Sequence, residues 1–271
     1  MGVPRIPPIQ IPAIGLGTWQ LEGRNCNRQV LYGLEIGYRL IDTAEAYRNE
    51  EQIGSAIQES GIGRSELFLI SKLWLENLSR DASMRSAEQS LRKLRTDYLD
   101  LLLIHWPSED VPIEETLEAM VRLQQESKVR HIGVSNFPPP LLELALRYAP
   151  VAGNEVEYHP FLGQPELLSL ARQRTVVLIA YSPLARGLVA QDRALQQIAE
   201  RHGKTPAQVA LRWLIQQERV VAIPKAGRPE HLRENFEIFD FELEQGEMKR
   251  IFELDRGQRL IDPSWSPAWE A

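Results

Sequence analysis

The sequence predicts an α/β chain folded as a single (β/α)8 TIM barrel, and three observations carry that expectation. Short apolar runs recur eight times, helical patterns stand between them, and the chain has 271 residues, close to the ~250 over which such barrels close. The runs cover residues 13–17, 39–42, 67–72, 98–105, 131–135, 154–158, 176–181 and 220–224. Most are continuously apolar rather than alternating, as parallel strands buried on both faces require. A doubly wound open sheet is the alternative with the same rhythm. No Gly-x-Gly-x-x-Gly follows an early strand, so a dinucleotide site of that kind lacks its signature.

Helical patterns at 27–36 and 49–59 precede the third run. The stretch 81–94 sets Ala87, Leu91 and Leu94 at helical spacing and ends in basic residues, which suit the negative end of the helix dipole. Further patterns at 113–125, 140–147 and 165–174 continue the alternation. Residues 191–202 and 205–216 form a pair broken at Gly203, with Thr205 as N-cap and Pro206 at the first helical position. Patterns at 230–236 and 244–254 close the series. Pro138, Pro139 and Pro140 are too short a cluster for a linker and read as a rigid helix start. Without a linker or low-complexity tract, residues 1–271 read as one domain. The last stretch, 256–271, has no regular period but carries Trp265 and Trp269 among prolines. Such a tail is expected to pack on the barrel mouth, as a cap or as a wall of the pocket.

Composition narrows the function classes. Apolar residues make up 43% and charged residues 25%, values of an ordinary globular protein, and the net charge is −6 with no long basic run. Nucleic acid and anionic membrane are therefore not the expected partners. The lone Cys26 cannot form an internal disulfide, which fits a reducing cytoplasm. The first twelve residues hold four prolines and no signal-peptide core, and no run approaches the ~20 apolar residues of a spanning helix. No exposed apolar helix face asks for a partner, so a monomer is expected.

In a barrel the site lies at the C-terminal strand ends. Here those ends carry Gly17, Thr18 and Trp19, then Asp42, Lys72, His105 with Trp106, Ser135 with Asn136, Glu157, Tyr181 with Ser182, and Lys225. Asp42 follows Leu40 and Ile41 without a turn, and a carboxylate buried there needs a cation. Lys72, closing its own apolar run, is that cation. By itself such a pair could simply tie two strands together, and His105 could be a satisfied core group. Tyr47 stands one loop turn beyond Asp42, and a phenol, an ammonium, a carboxylate and an imidazole converging at one barrel end are hard to explain as packing. An ammonium beside a phenol is expected to lower the phenol's pKa from ~10, so that it can give and take a proton near neutrality.

The stretches GLGTW (15–19), DTAEAYRNE (42–50), SKLW (71–74), YLDLLLIHWP (98–107), IGVSNF (132–137), NEVEYHP (154–160), AYSP (180–183) and IPKAGRPEHLREN (223–235) resemble, in order and over nearly the whole chain, the aldo-keto reductases of the bacterial diketogulonate-reductase type. The resemblance implies a catalytic tetrad of Asp42, Tyr47, Lys72 and His105. It implies NAD(P)H-dependent reduction of aldehydes and ketones, with hydride from nicotinamide C4 and Tyr47 as general acid. It sets the nicotinamide carboxamide against Ser135 and Asn136 and the ring on Tyr181. Gly17, Thr18, Trp19, Glu155, Ser182, Leu184, Lys225, Ala226, Arg228, His231, Glu234 and Asn235 fall on the other cofactor positions. Read without the family, Lys225 and Arg228 are ordinary surface charges; with it, they pair a phosphate. Trp19, Trp74, Trp106 and Trp265 are expected to line an open pocket for small carbonyl compounds.

Three positions depart from the family's pattern. Glu155 stands where Gln is usual; a carboxylate cannot donate to the carboxamide oxygen and would favour the cationic, oxidised ring. Ala226 stands for a common Ser, and His231 for an Arg that clamps the 2′-phosphate. NADPH remains the expected cofactor, with NADH accepted as well. Two rival readings stand beside this one. Glu155, Glu157 and His159 alternate on one strand face and, with His105, could hold a divalent cation, although Lys72 in the same site opposes it. A catalytically idle, cofactor-binding regulatory protein is the other; an intact tetrad argues against it. No metal is expected.

Overall fold

The computed structural model describes residues 3–269; residues 1, 2, 270 and 271 of the expected 1–271 domain lie outside them. A two-stranded antiparallel hairpin, β1 (Arg5–Ile6) and β2 (Ile11–Pro12), comes first. Eight parallel strands follow in chain order: β3 (Leu16–Gly17), β4 (Leu40–Asp42), β5 (Phe68–Leu73), β6 (Leu99–Ile104), β7 (Val129–Ser135), β8 (Val151–Glu157), β9 (Val177–Tyr181) and β10 (Val220–Ala222). Each pairs with its sequence neighbour. The sheet then meets itself: Ile14 bridges Ala222 in parallel, and Gly17 N–H donates to Pro224 O at 3.1 Å. At that seam a Cβ on Gly17 would lie 2.8 Å from the Ile223 carbonyl oxygen, so only glycine admits the approach. The expected barrel is the fold.

The helices between strands are α1 (Gly23–Ile36), α2 (Glu50–Ser60), α3 (Arg80–Leu94), α4 (Ile113–Gln125), α5 (Pro139–Tyr148), α6 (Pro165–Arg174), α7 (Arg193–His202) and α8 (Pro206–Ile215); α9 (Pro229–Phe236) and α10 (Gln245–Phe252) follow the last strand. The expected stripe on α3 is buried, with Ala87, Leu91 and Leu94 inward and Arg92 and Lys93 in the last turn. Thr205 caps α8, accepting from Gln208 N–H at 3.3 Å while Gln208 Oε1 accepts from Thr205 N–H at 3.0 Å. α1 begins at Gly23, four positions before the expected start at 27, because its polar first turn hides the pattern.

Period two along the strands sorts the core into two layers. Leu69, Leu102, Ile132 and Leu178 face outward into the cluster shared with the helices. Leu40, Phe68, Ile70, Leu101, Leu103, Val177, Ile179, Val221 and Ile223 fill the barrel itself. Ile9 and Ile11 of the hairpin join that inner layer and plug the barrel's lower end. The hairpin was not expected, since two-residue strands leave no periodicity to read. Stepping two residues further along the same inner face reaches Asp42, Lys72, His105 and Tyr181: the apolar filling gives way to ionisable groups at one end.

The tail after α10 crosses that end. Arg256 and Gln258 N–H donate to Phe161 O at 3.3 and 2.9 Å, and Leu260 and Ile261 N–H reach the carboxylate of Glu157. It serves as both cap and wall, the two expectations together.

Candidate active site

Lys72 is the hub. It lies 1% exposed at the end of β5. Its Nζ donates to Asp42 Oδ2 at 2.6 Å, to Thr43 O at 3.1 Å and to Tyr47 Oη at 3.4 Å. Glu155 Oε1 stands 3.3 Å from the same nitrogen. The carboxylate, cation and phenol expected to meet therefore meet, with a second carboxyl among them. His105 closes the group: its ring packs edge-on against Tyr47, centroids 5.6 Å apart, and against Trp74 at 5.0 Å.

Tyr47 is carried by a 3₁₀ turn, Glu45–Tyr47, anchored through Glu45. That carboxylate accepts from Trp74 N–H, from Asn77 Nδ2 at 2.9 Å and from Ser86 Oγ at 2.5 Å. The acid thus ties the phenol's loop to the loop bearing Trp74. Nothing in the sequence singled Glu45 out; its partners lie 29 to 41 residues away.

Electrostatics correct one expectation. Burial pushes the Tyr47 phenol above its ordinary value; Lys72 pulls it back, but Asp42 and Glu155 push it up again. The expected lowering counted the ammonium and left out the burial that outweighs it, with the carboxyl groups nearby adding to the rise. Lys72 is disfavoured by burial as a cation, yet its neighbours, Asp42 first and then Glu155, outweigh that and hold it protonated. Burial and the nearby ammonium hold His105 well below the usual imidazole range, so it is neutral. Among the described residues His105 Nδ1 has no hydrogen-bond partner.

Beside this group Ser135 Oγ donates to Glu155 O at 3.0 Å, and Asn136 Nδ2 donates to His105 O at 2.9 Å. Tyr181 Oη donates to Asn136 Oδ1 at 2.8 Å. Asn136 sits at φ 63°, a left-handed conformation that asparagine tolerates. Ser135, Asn136 and Tyr181 are so fixed around one another.

The site opens onto a cavity of roughly 1450 Å³. Its lining includes Tyr47, His105, Trp74, Trp106, Trp19 and Trp265, then Gly17, Ser182 and Leu184, and also Lys225, Ala226, His231, Glu234 and Asn235. Trp74 and Trp265 meet edge-to-face at 6.1 Å. Three expected residues do not reach the cavity lining. Lys72 lies buried behind Asp42 and Tyr47. Thr18 is fully buried and spends its hydroxyl on Asp42 O at 2.8 Å. Arg228 stands exposed as the N-cap of α9. Lining residues that the sequence did not mark include Arg48 and Arg186; the tail, expected as a wall, contributes 260–263. Glu157 lies beneath the tail rather than in the lining, engaged with Leu260, Ile261 and His159. Glu155 is engaged with Lys72 instead, so the four residues of the metal reading serve separate ends. Among the described residues no cluster of three possible metal ligands forms.

The family model for the aldo/keto reductase family matches residues 13–256. The chain belongs to the aldo/keto reductase family. This aldo/keto reductase is 40% identical over 266 residues to methylglyoxal reductase DkgB of Escherichia coli O157:H7, covering 96% of this chain and 99% of that one. It is 42% identical over 255 residues to a glyoxal reductase of Bacillus subtilis (strain 168), covering 93% and 92%. A crystal structure provisionally assigned as a 2,5-diketo-D-gluconic acid reductase B superposes with a TM-score of 0.97 at 45% identity, covering 100% of this aldo/keto reductase and 98% of that chain.

Proposed function

We propose that this oxidoreductase reduces small aldehydes and ketones to alcohols with NADPH, accepting NADH as well, and that Asp42, Tyr47, Lys72 and His105 carry the chemistry. One observation supports the reading above others: a phenol, an ammonium and a neutral imidazole meet beside a cavity that Lys225 and His231 also line. At roughly 1450 Å³ the cavity exceeds the ~300–1,000 Å³ of most small-ligand sites and suits a dinucleotide with a substrate beside it. The buried, partnerless polar atoms of His105 and Glu155 at its inner end suit polar ligand groups.

When bound, reduced nicotinamide supplies a hydride from C4 to the carbonyl carbon. Ser135, Asn136, Glu155 and Tyr181 would hold the nicotinamide. Lys225 and His231 would face the adenosine phosphate, with Arg228 outside the lining. Tyr47 Oη donates its proton to the carbonyl oxygen as negative charge develops there. A raised phenol pKa does not prevent this, because a forming alkoxide is more basic than a phenol; Lys72 stabilises the phenolate left behind. His105, held neutral, offers an N–H to the same oxygen. Trp19, Trp74, Trp106 and Trp265 exclude water. Relatives named for methylglyoxal and glyoxal point to small dicarbonyls as the first substrates to try.

We place the enzyme in the cytoplasm as a monomer of one domain. The lone cysteine is buried, and among the described residues no helix is long and apolar enough to cross a membrane. The test is cofactor consumption with a panel of aldehydes and ketones, run with both cofactors on the parent and on Tyr47→Phe. Turnover in the parent and its loss in the variant is the expected result. Cofactor binding without turnover of any carbonyl would favour the regulatory reading, and equal rates in both would remove Tyr47 from the mechanism.

A further inference from the structure

The second carboxyl beside Lys72 has only a holding role in the mechanism above, and its charge is unaccounted for. Asp42, Lys72 and Glu155 lie on β4, β5 and β8, each at most 2% exposed. One ammonium there serves two acids, Asp42 at 2.6 Å and Glu155 at 3.3 Å, and the two carboxyl groups are in hydrogen-bonding reach of each other. Two carboxylates in one dry site do not both ionise; the pair shares a proton. Asp42 has the shorter contact with the cation and keeps the charge. Glu155 takes the proton and bonds to Asp42 through it. Its Oε2 is buried with no conventional donor beside it among the described residues, and Glu155 lines the cavity.

We propose that Glu155 is a specificity-determining residue for the oxidation state of the cofactor: neutral in the free enzyme and with the reduced ring, it releases its proton to solvent when the cationic, oxidised ring binds. This rests on the reductase reading. With Glu155 neutral, Asp42 and Lys72 cancel and the inner end carries no net charge. A cationic ring adds one positive charge in a low-dielectric site, and ionising Glu155 removes it. A neutral ring leaves the carboxyl as it was. A glutamine at this position matches the shape and the hydrogen-bond donor but has no proton to lose.

The groups facing Glu155 do not offer another source for that proton. Lys72 is held protonated between the two acids. Burial pushes the Tyr47 and Tyr181 phenols up, and His105 beyond Tyr47 is already neutral. Burial and the Asp42 charge hold Glu155 well above the usual carboxylate range, where an alkaline shift can take its proton. Oxidised cofactor is therefore held more tightly as pH rises and shed more readily in acid.

The experiment measures dissociation constants of NADP⁺ and NADPH by fluorescence titration, from about pH 6 to 9, for the parent and Glu155→Gln. The ratio of oxidised to reduced constants cancels ionisation of the cofactor phosphate and of His231, which both forms share. In the parent the ratio should fall with rising pH by up to about tenfold per pH unit, the limit for one released proton; in Glu155→Gln it should be flat. A flat parent, or equal slopes in the two proteins, overturns the proposal. Infrared spectra near neutral pH give an independent reading: a protonated-carboxyl band in the cofactor-free parent, missing from Glu155→Gln, supports it, and no such difference overturns it. Should the parent bind neither cofactor, the reductase reading falls, and the infrared band still decides whether Glu155 carries the proton.

Discussion

The carboxylate of Glu157 accepts hydrogen bonds from the backbone N–H of Leu260, at 2.9 and 3.1 Å to its two oxygens, across 103 residues of sequence. Ile261 N–H adds a third at 3.0 Å, and His159 Nε2 lies 3.1 Å from Oε1. His159 Nδ1 accepts from Phe161 N–H, which leaves Nε2 as the donor to Glu157. One strand-end acid, fully buried, thus fixes the segment that walls the cavity from 260 to 265.

Glu157→Gln keeps the shape but replaces a charged acceptor by a neutral one and brings an extra N–H2. Hydrogen bonds to a charged group contribute ~1.5–3 kcal/mol, so the tail loosens while the inner site stays in place. Backbone amides of Leu260 and Ile261 should exchange with solvent at least tenfold faster than in the parent. KM for carbonyl substrates should rise several-fold with kcat little changed. Unaltered exchange at those two amides would show that the tail is held by other contacts.

How much of this was legible follows from what each residue's partner is. The strands could be read because both faces of a parallel barrel strand are apolar, and Asp42 and Lys72 because an ionisable residue ending such a run needs a counter-charge. Glu157 and Glu45 could not be assigned, since their partners are backbone or loop groups that no spacing rule connects to them. Thr18 looked like a cofactor contact, but its hydroxyl faces Asp42 O. The direction of the Tyr47 shift is not legible in the sequence, because a tyrosine on a loop does not show how deeply its phenol is buried. The hairpin that plugs the barrel was missed because β1 and β2 have two residues each.

Tyr47→Phe removes the proton donor and one 3.4 Å hydrogen bond from Lys72. General acid catalysis contributes ~10²–10⁴-fold, so kcat for aldehyde reduction should fall by about that much. Cofactor affinity and thermal midpoint should stay near the parent's. Steady-state kinetics with a fluorescence titration of the cofactor separate the two; a variant within threefold of the parent kcat would contradict the assignment.

Lys72→Met leaves Asp42 and Glu155 facing each other without a cation. Breaking a buried pair from one side costs ~3–5 kcal/mol, which for a chain of this size lowers the thermal midpoint by roughly 6–20 °C. Raising acidity should recover part of that loss, because the second carboxyl can then be protonated as well. Melting curves of both proteins at several pH values check this, and a loss that does not shrink in acid would argue that Lys72 supports packing rather than charge.

His105 gives a pH dependence with a definite sign. Its folded-state pKa is depressed, by burial first and by Lys72 second, so below ~6.5 the unfolded chain binds a proton that the folded one refuses. The stability it supports is complete above that pH and is lost as pH falls toward the folded value. Denaturation midpoints of the parent should therefore drop between neutrality and mild acid more steeply than those of His105→Gln. Parallel slopes would mean that His105 titrates freely.

On the proposed reading the late loop sets cofactor choice, and there Ala226 and His231 stand where the family's pattern has phosphate donors. Ala226 is buried at the cavity wall and His231 stands 3.5 Å from Glu234, whose other oxygen is taken by Thr205 at 2.6 Å. Arg228 lies outside the lining, so Lys225 is the principal cation left for a 2′-phosphate. Ala226→Ser adds a hydroxyl donor and His231→Arg adds a planar fork suited to phosphate. At ~1.5–3 kcal/mol for each charge-assisted bond, the double variant should raise the NADPH-to-NADH ratio of kcat/KM by tenfold or more, chiefly through KM for NADPH. Competing steady-state assays with both cofactors measure it. A ratio unchanged by both substitutions would move the phosphate site away from this loop and leave the cofactor preference to be explained by Lys225 and Arg228 alone.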